Sequence, residues 1–150
     1  VTDALKDRQN KAEGLIERYE VEDQTDADHL IQLGDHFFNW LSKRFVVKQM
    51  YRKYPIRYHY QNRLFETIID FVVETSEGWV IVQNSGFSGD QSKWKKKAKE
   101  LGPWMYLSRL AIMELFETKK VQTWVHFVLL GFILEVNTTS KQSKPTEANP

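Results

Sequence analysis

Hydrophobic residues in the first third of the chain recur at a helical period. Every third or fourth position is apolar in a stretch that begins near Thr25 or Asp26, either of which could cap a helix. This spacing predicts one long helix with a buried stripe formed by Leu30, Leu33, Phe37, Leu41 and Phe45. A more polar helix is predicted before it, over residues 4–19, and an acidic connector over residues 21–28 joins the two.

Three strands are predicted in succession after this helix. Residues 54–60 alternate in polarity, as is typical of a strand, and Pro55 places it at a sheet edge or at the start of the strand. Residues 64–74 form the next strand after a short turn. Residues 79–83 follow a second turn and are almost wholly apolar, which favours a central position in the sheet.

The rest of the chain contains a broken helix and a last strand. Helical sequence runs over residues 91–116 and is interrupted at Gly102-Pro103, where the proline suits the first turn of a second helix. One strand is predicted over residues 121–136, continuing through Gly131. Residues 137–150 are polar and are predicted to be a disordered tail.

This order of elements predicts an α/β (α+β) fold. A chain of 150 residues is long enough for one domain with a substantial core. We expect a central mixed sheet of about four strands flanked by helices. The folded domain is assigned to residues 26–136, after an N-terminal helix and acidic connector over residues 1–25.

Composition narrows the class of protein. The absence of cysteine excludes disulfides and thiolate metal sites, and it fits a cytoplasmic location. No apolar run approaches the roughly 18 residues needed to span a membrane, so no membrane partner is expected. The sequence opens at Val1 on a charged stretch without a signal peptide, which predicts a fragment of a longer protein.

Two stretches of the chain are strongly basic. No acid occurs between His36 and Phe65, and a second cluster of lysines follows the third predicted strand. Such clusters are typical of phosphate contacts, and we predict phosphate contacts from Lys43, Arg44, Lys93, Lys95, Lys96 and Lys97. Trp94, between these lysines, is predicted to be an exposed platform for base stacking. The alternative for the second cluster is a solvated helix face.

Two short segments of the predicted hairpin over residues 64–89 can be compared with sequence motifs. Thr67-Ile68-Ile69-Asp70 is similar to a G-x-I-D motif, and Gln83-Asn84-Ser85-Gly86 lies where a D-x-K-[ST] motif would follow the next strand. The similarity continues at Ser88-Gly89, Trp94 and Tyr106. Over about residues 27–136 the chain resembles the PD-(D/E)XK nuclease superfamily and, within it, the RecB-like C-terminal domain of AddA-type UvrD/Rep-family helicases.

The sequence departs from this family at the positions that carry catalysis. The family's second acid and its lysine are replaced by Gln83 and Ser85. Its glycine, its glutamine and its metal-binding histidine are replaced by Thr67, Gly102 and Phe38. Phosphodiester hydrolysis needs hard oxygen ligands that hold Mg²⁺ beside the phosphate, and Asp70 as the one remaining metal ligand supplies too little charge. We therefore expect an inactive nuclease site.

The resemblance implies a restriction-endonuclease-like core and a parent protein that acts in DNA double-strand break repair and recombination. That parent would be an ATP-dependent helicase and exonuclease whose ATP is bound by motor domains elsewhere in the chain. The implied partners are DNA, the helicase domains of the same chain and a partner nuclease subunit. For this domain itself we expect no cofactor and a structural or DNA-guiding role.

Two other functions stay open at this level. An active, rewired nuclease would bind Mg²⁺ through Asp70 together with Glu66 or Asp90, and Lys93 would replace the lost lysine. A protein-interaction module would instead use the same face to dock a partner subunit. His126 stands alone in a predicted strand and is interpreted as an ordinary structural histidine.

Overall fold

The computed structural model describes residues 6–12, 27–87, 89–138 and 144–148. Most of the predicted first helix and acidic connector, the predicted caps Thr25 and Asp26, and Ser88 lie outside these ranges. The described elements are α1 (residues 6–12), α2 (Ala27–Arg44), β1 (Val47–Tyr60), β2 (Arg63–Thr75), β3 (Gly78–Ser85), a 3₁₀ turn (Gln91–Lys93), α3 (Trp94–Glu100), α4 (Gly102–Leu115), β4 (Val121–Phe127), β5 (Phe132–Asn137) and β6 (Lys144–Ala148).

The strands form one mixed sheet in the order in which they occur along the chain. β1, β2 and β3 are an antiparallel meander, β3 and β4 are parallel, and β5 and β6 continue the sheet in antiparallel fashion. The parallel step needs a crossover connection, which α3 and α4 supply. The predicted α+β class and mixed sheet are confirmed, with six described strands instead of about four.

The segment predicted as one last strand is a hairpin. β4 ends at Phe127, which pairs with Phe132 at the start of β5. The Phe127 carbonyl accepts hydrogen bonds from the amides of Leu130 and Gly131, at 3.1 and 3.0 Å. Gly131 has φ +65°, a left-handed conformation that glycine adopts at little cost. The glycine therefore turns the chain back instead of continuing the strand.

A sixth strand lies within the segment predicted to be a disordered tail. Residues 144–148 pair antiparallel with β5, with Pro145 opposite Val136 and Lys144 opposite Asn137. Strand pairing uses backbone groups, so a polar sequence can add to the free edge of β5. The tail prediction is therefore wrong for residues 144–148.

The core has one layer on each face of the sheet. Alternate residues of β3 point to opposite faces, so Val80 and Val82 contact α2 while Ile81 contacts α4. The α2 layer buries Phe37, Trp40, Leu41, Phe45 and Trp124. The α4 layer is built around Ile56, Ile69, Val72, Ala111 and Ile112. The apolar stripe predicted for α2 is confirmed at Phe37, Leu41 and Phe45.

The interruption predicted in the helical segment at Gly102-Pro103 is present. The 3₁₀ turn and α3 end at Glu100, and α4 begins at Gly102 with Pro103 in its first turn. α1 is joined to α2 by an ion pair between Arg8 and Asp35. Among the helices of the described ranges, none is long and apolar enough to cross a membrane.

Candidate functional site

The candidate site lies where β2 and β3 separate. Their pairing runs from Thr75 opposite Gly78 to Phe71 opposite Val82, one residue short of Asp70. β1 stays paired with β2 as far as Tyr60. The β1–β2 hairpin therefore extends beyond β3, and Asp70 lies at the resulting fork. Backbone groups at a fork lose their ladder partners and need side-chain partners instead.

Side chains at the fork supply those partners. The backbone amide of Asp70 donates to Gln83 Oε1 at 3.2 Å, and the backbone amide of Asn84 donates to Asp70 Oδ2 at 2.9 Å. The other carboxylate oxygen of Asp70 forms an ion pair with the ammonium of Lys53. Asp70 is only 7% exposed. Its carboxylate is thus buried, charge-compensated and hydrogen-bonded, as a structural acid must be.

An unusual backbone conformation accompanies this ion pair. Lys53 has φ +51°, the left-handed region that costs a residue with a side chain about 1–3 kcal/mol. Tyr51 and Tyr54 both pack in the α4 layer although they are three residues apart, so the alternation of β1 breaks between them. β2 shows the same break between Ile69 and Val72. The two breaks contain Lys53 and Asp70, which lie between the paired positions Arg52–Phe71 and Tyr54–Ile69.

A buried histidine extends the network from the fork into the α2 layer. His126 Nδ1 lies 3.3 Å from Asn84 Oδ1, and the imidazole stacks on Phe37 with ring centroids 4.3 Å apart. Because burial penalises the charged form, it lowers the pKa of His126 to about 4. The ring is therefore neutral at pH 7 and donates from Nδ1 to Asn84. Its Nε2 is buried without a hydrogen-bond partner among the described residues.

The residues at the fork do not fit the Mg²⁺ ion that the resemblance would place there. One oxygen of Asp70 is taken by a lysine ammonium, and the other by the Asn84 amide. The remaining oxygen that could ligate a metal is Gln83 Oε1, which is neutral and already accepts a hydrogen bond from the backbone amide of Asp70. A divalent cation prefers several oxygen ligands that carry negative charge, and a neighbouring ammonium repels it. Within the described ranges, no three His, Asp or Glu side chains come together to hold a metal.

The substitutes considered for a rewired nuclease are placed elsewhere. Glu66 is exposed and pairs with Arg57 at 2.7 Å. Asp90 is also exposed, and its carbonyl accepts the Lys93 amide at the start of the 3₁₀ turn. Ser85, at the position of the family's lysine, accepts the Phe87 amide on Oγ at 3.2 Å. In the part of the chain that is described, none of these side chains bonds to the Asp70 carboxylate.

The predicted DNA contacts fall into two separate places. Lys43 and Arg44 are exposed at the end of α2, beside the β2–β3 turn, where the Ser76 amide donates to the Val46 carbonyl. The lysines of the 3₁₀ turn and α3 follow the far end of β3, near the fork. They also belong to the opposite layer, because α3 packs with Val125 and α2 packs with Trp124. The two groups of predicted contacts therefore lie at opposite ends and on opposite faces of the sheet.

Trp94 is half-buried and not the exposed ring that the sequence predicts. Its ring packs on Phe132 at 4.0 Å and near Phe127 at 6.3 Å, and its Nε1 is buried. Lys97 is half-buried and pairs with Glu100 at 3.4 Å. Of the four lysines predicted as phosphate contacts in this segment, Lys93, Lys95 and Lys96 are exposed.

Comparison with known proteins adds no relative to this picture. No protein-family model matches the sequence, and no curated protein matches it.

Proposed function

We propose that this chain is the C-terminal nuclease-fold domain of an ATP-dependent DNA helicase/exonuclease that acts in double-strand break repair and recombination. In this proposal its own nuclease site is inactive, and the domain binds and guides DNA. The order of elements supports the assignment, since α2, the β1–β3 meander, α3 with α4, and the parallel strand β4 follow the order that the resemblance implies.

The observation that carries the proposal is the state of Asp70. The acid sits at the fork of the sheet, at the position of a catalytic carboxylate in the resembled family, but its charge is neutralised by Lys53. Gln83 and Ser85, where the family has its second acid and lysine, make only local hydrogen bonds to backbone amides. Losing both catalytic groups removes many powers of ten in rate, so catalysis by this domain is not expected.

DNA binding is the role that the surface still supports. Lys93, Lys95 and Lys96 are exposed on the 3₁₀ turn and α3, which follow β3 beyond the end at which the fork lies. Lysines neutralise phosphates by releasing counterions, so binding through them weakens as salt rises. A domain that positions DNA without cutting it needs such contacts and no metal ligands.

The test is a titration of linear duplex DNA against the domain at about 50 and 200 mM salt. The proposal predicts weak binding that falls steeply between the two salt concentrations. No affinity at either concentration would contradict it and would favour a module that docks a partner protein.

A pair of matched variants locates the contact. Lys93→Ala combined with Lys96→Ala should reduce the slope of log K against log salt by about 1 for each lysine removed. Lys43→Ala combined with Arg44→Ala removes the same charge from the opposite end of the sheet and should leave the slope within error of the unmodified protein. Equal losses in the two double variants would show that the fork end is not the DNA contact.

A further inference from the structure

A groove separates the outer part of the β1–β2 hairpin from α4. It encloses about 570 Å³, and its floor is formed by Ile56 and Ala111, which are both buried. Tyr54 and Tyr58 stand on either side of this floor along β1. Leu115 lines the α4 side with more than half of its surface exposed. The groove is thus apolar at the bottom and aromatic at both ends.

The aromatic side chains continue beyond the groove in both directions. Tyr54 packs against Phe116, with ring centroids 6.1 Å apart. Tyr58 stacks with Tyr60 at 6.4 Å, and Tyr60 meets Tyr106 edge to face at 6.3 Å. A line of rings along one strand is the arrangement on which successive bases of a single strand can stack, because every base has an aromatic face.

The spacing of the two groove tyrosines fits bases. They are four residues apart on one strand, which separates their backbones by about 13 Å at ideal rise. Stacked bases are spaced about 3.4 Å apart along a strand, so the groove has room for two or three. A duplex keeps its bases paired inside and would present only phosphates to this apolar floor.

The charges around the groove favour bases, and not phosphates, at its floor. Glu114 lines it and lies close enough to raise the pKa of the Tyr58 phenol, together with burial of that phenol as the larger cause. A carboxylate repels phosphates but accepts hydrogen bonds from the amino groups of bases, that of cytosine among them. Arg57 and His59 lie at the rim on β1, in the stretch that contains no acid, and Arg57 is exposed although it also pairs with Glu66 of β2. Bases would therefore face the groove while the backbone lies along the basic strand.

We propose that the groove between β1 and α4 binds single-stranded DNA, with its bases stacked on Tyr54 and Tyr58. The proposal rests on the DNA-guiding function and adds to it the form of DNA that is held and the face that holds it. The fork lysines would contact phosphates on the neighbouring part of the same layer.

Fluorescence anisotropy with labelled oligo(dC) of about ten nucleotides tests the groove. Tyr58→Leu should weaken binding roughly tenfold or more, because stacking on the ring is lost. Tyr58→Phe is the matched control, since it keeps the ring and should bind within about twofold of the unmodified protein. Leu115→Glu changes an exposed side chain, so it should leave the fold intact while placing a second carboxylate in the groove and weakening binding.

The outcomes distinguish failure of the groove as a binding site from failure of the DNA-guiding function. Loss of binding in Tyr58→Leu and Leu115→Glu, with retention in Tyr58→Phe, would support the groove. Unchanged oligo(dC) affinity in both Tyr58→Leu and Leu115→Glu would overturn the groove proposal, even if salt-dependent binding of DNA persists. It would favour a protein as the partner that occupies the groove. Tighter binding of duplex than of oligo(dC) would also overturn it. No binding of any DNA at low salt would overturn the DNA-guiding function itself.

Discussion

Lys53→Met is expected to lower the free energy of unfolding by about 1–3 kcal/mol. The variant removes the ammonium that compensates Asp70, whose side chain is only 9% exposed, and it keeps a long apolar stem and the left-handed backbone. The Lys53 side chain is itself 69% exposed, so water can partly replace the ammonium, and the estimate is below that for a fully buried pair. Urea unfolding of the two proteins measures the difference.

Arg57→Met is the matched control on the same strand. Arg57 also forms an ion pair, but its partner Glu66 is 56% exposed and stays solvated when the arginine is removed. Exposed pairs contribute about 0.2–1 kcal/mol, so this variant should lose clearly less stability. Asp70→Asn combined with Lys53→Met should be less destabilised than the sum of the single variants. Equal losses of unfolding free energy in Lys53→Met and Arg57→Met would mean that the buried Asp70 carboxylate does not need the Lys53 ammonium for its stabilisation.

Protonation of His126 is expected to destabilise the protein as the pH falls from about 6.5 towards 4. In the folded protein the lowered pKa, about 4, keeps the ring neutral, whereas in the unfolded chain it takes up a proton near its usual pKa of 6.5. The unfolded state thus binds more protons across this window, and stability is lost as the pH falls. At about 1.4 kcal/mol per pH unit the loss approaches about 3 kcal/mol.

Unfolding measured at several pH values isolates this contribution when variants are compared. His126→Gln should be less stable than the unmodified protein at pH 7, because it loses the stacking on Phe37, but the difference should shrink as the pH falls. His59→Gln changes an exposed histidine and should keep the full pH dependence. A constant difference between His126→Gln and the unmodified protein across the window would contradict the buried, neutral histidine.

Much of the fold follows from periodicity in the sequence. The stripe of α2, the three-stranded meander and the break at Gly102 all depend on local patterns, and the structure has each of them. β1 begins at Val47 and not near residue 54 as predicted, because the first half of this edge strand is largely polar and does not alternate clearly. The β4–β5 turn depends on the conformation of the single residue Gly131, which periodicity does not report.

The candidate site was only partly predictable. Asp70 and the replacements at Gln83 and Ser85 can be found by position within two motifs. The role of Lys53 depends on strand register and on its left-handed backbone conformation. Neither property can be recognised from the sequence, in which Lys53 is one of several neighbouring basic residues. The charged neighbours of Trp94 predict an exposed ring, whereas the ring is half-buried on the inner face of α3 together with Ala98, which lies four residues on and is fully buried.

We propose that the chain retains a nuclease fold whose catalytic site is inactive. The most direct test is degradation of end-labelled linear DNA by the purified protein in the presence of Mg²⁺ or Mn²⁺, beside the Asp70→Ala variant. We predict no metal-dependent cleavage by the unmodified protein above the level of that variant. Cleavage by the unmodified protein that disappears in Asp70→Ala would contradict the claim and identify an active, rewired nuclease.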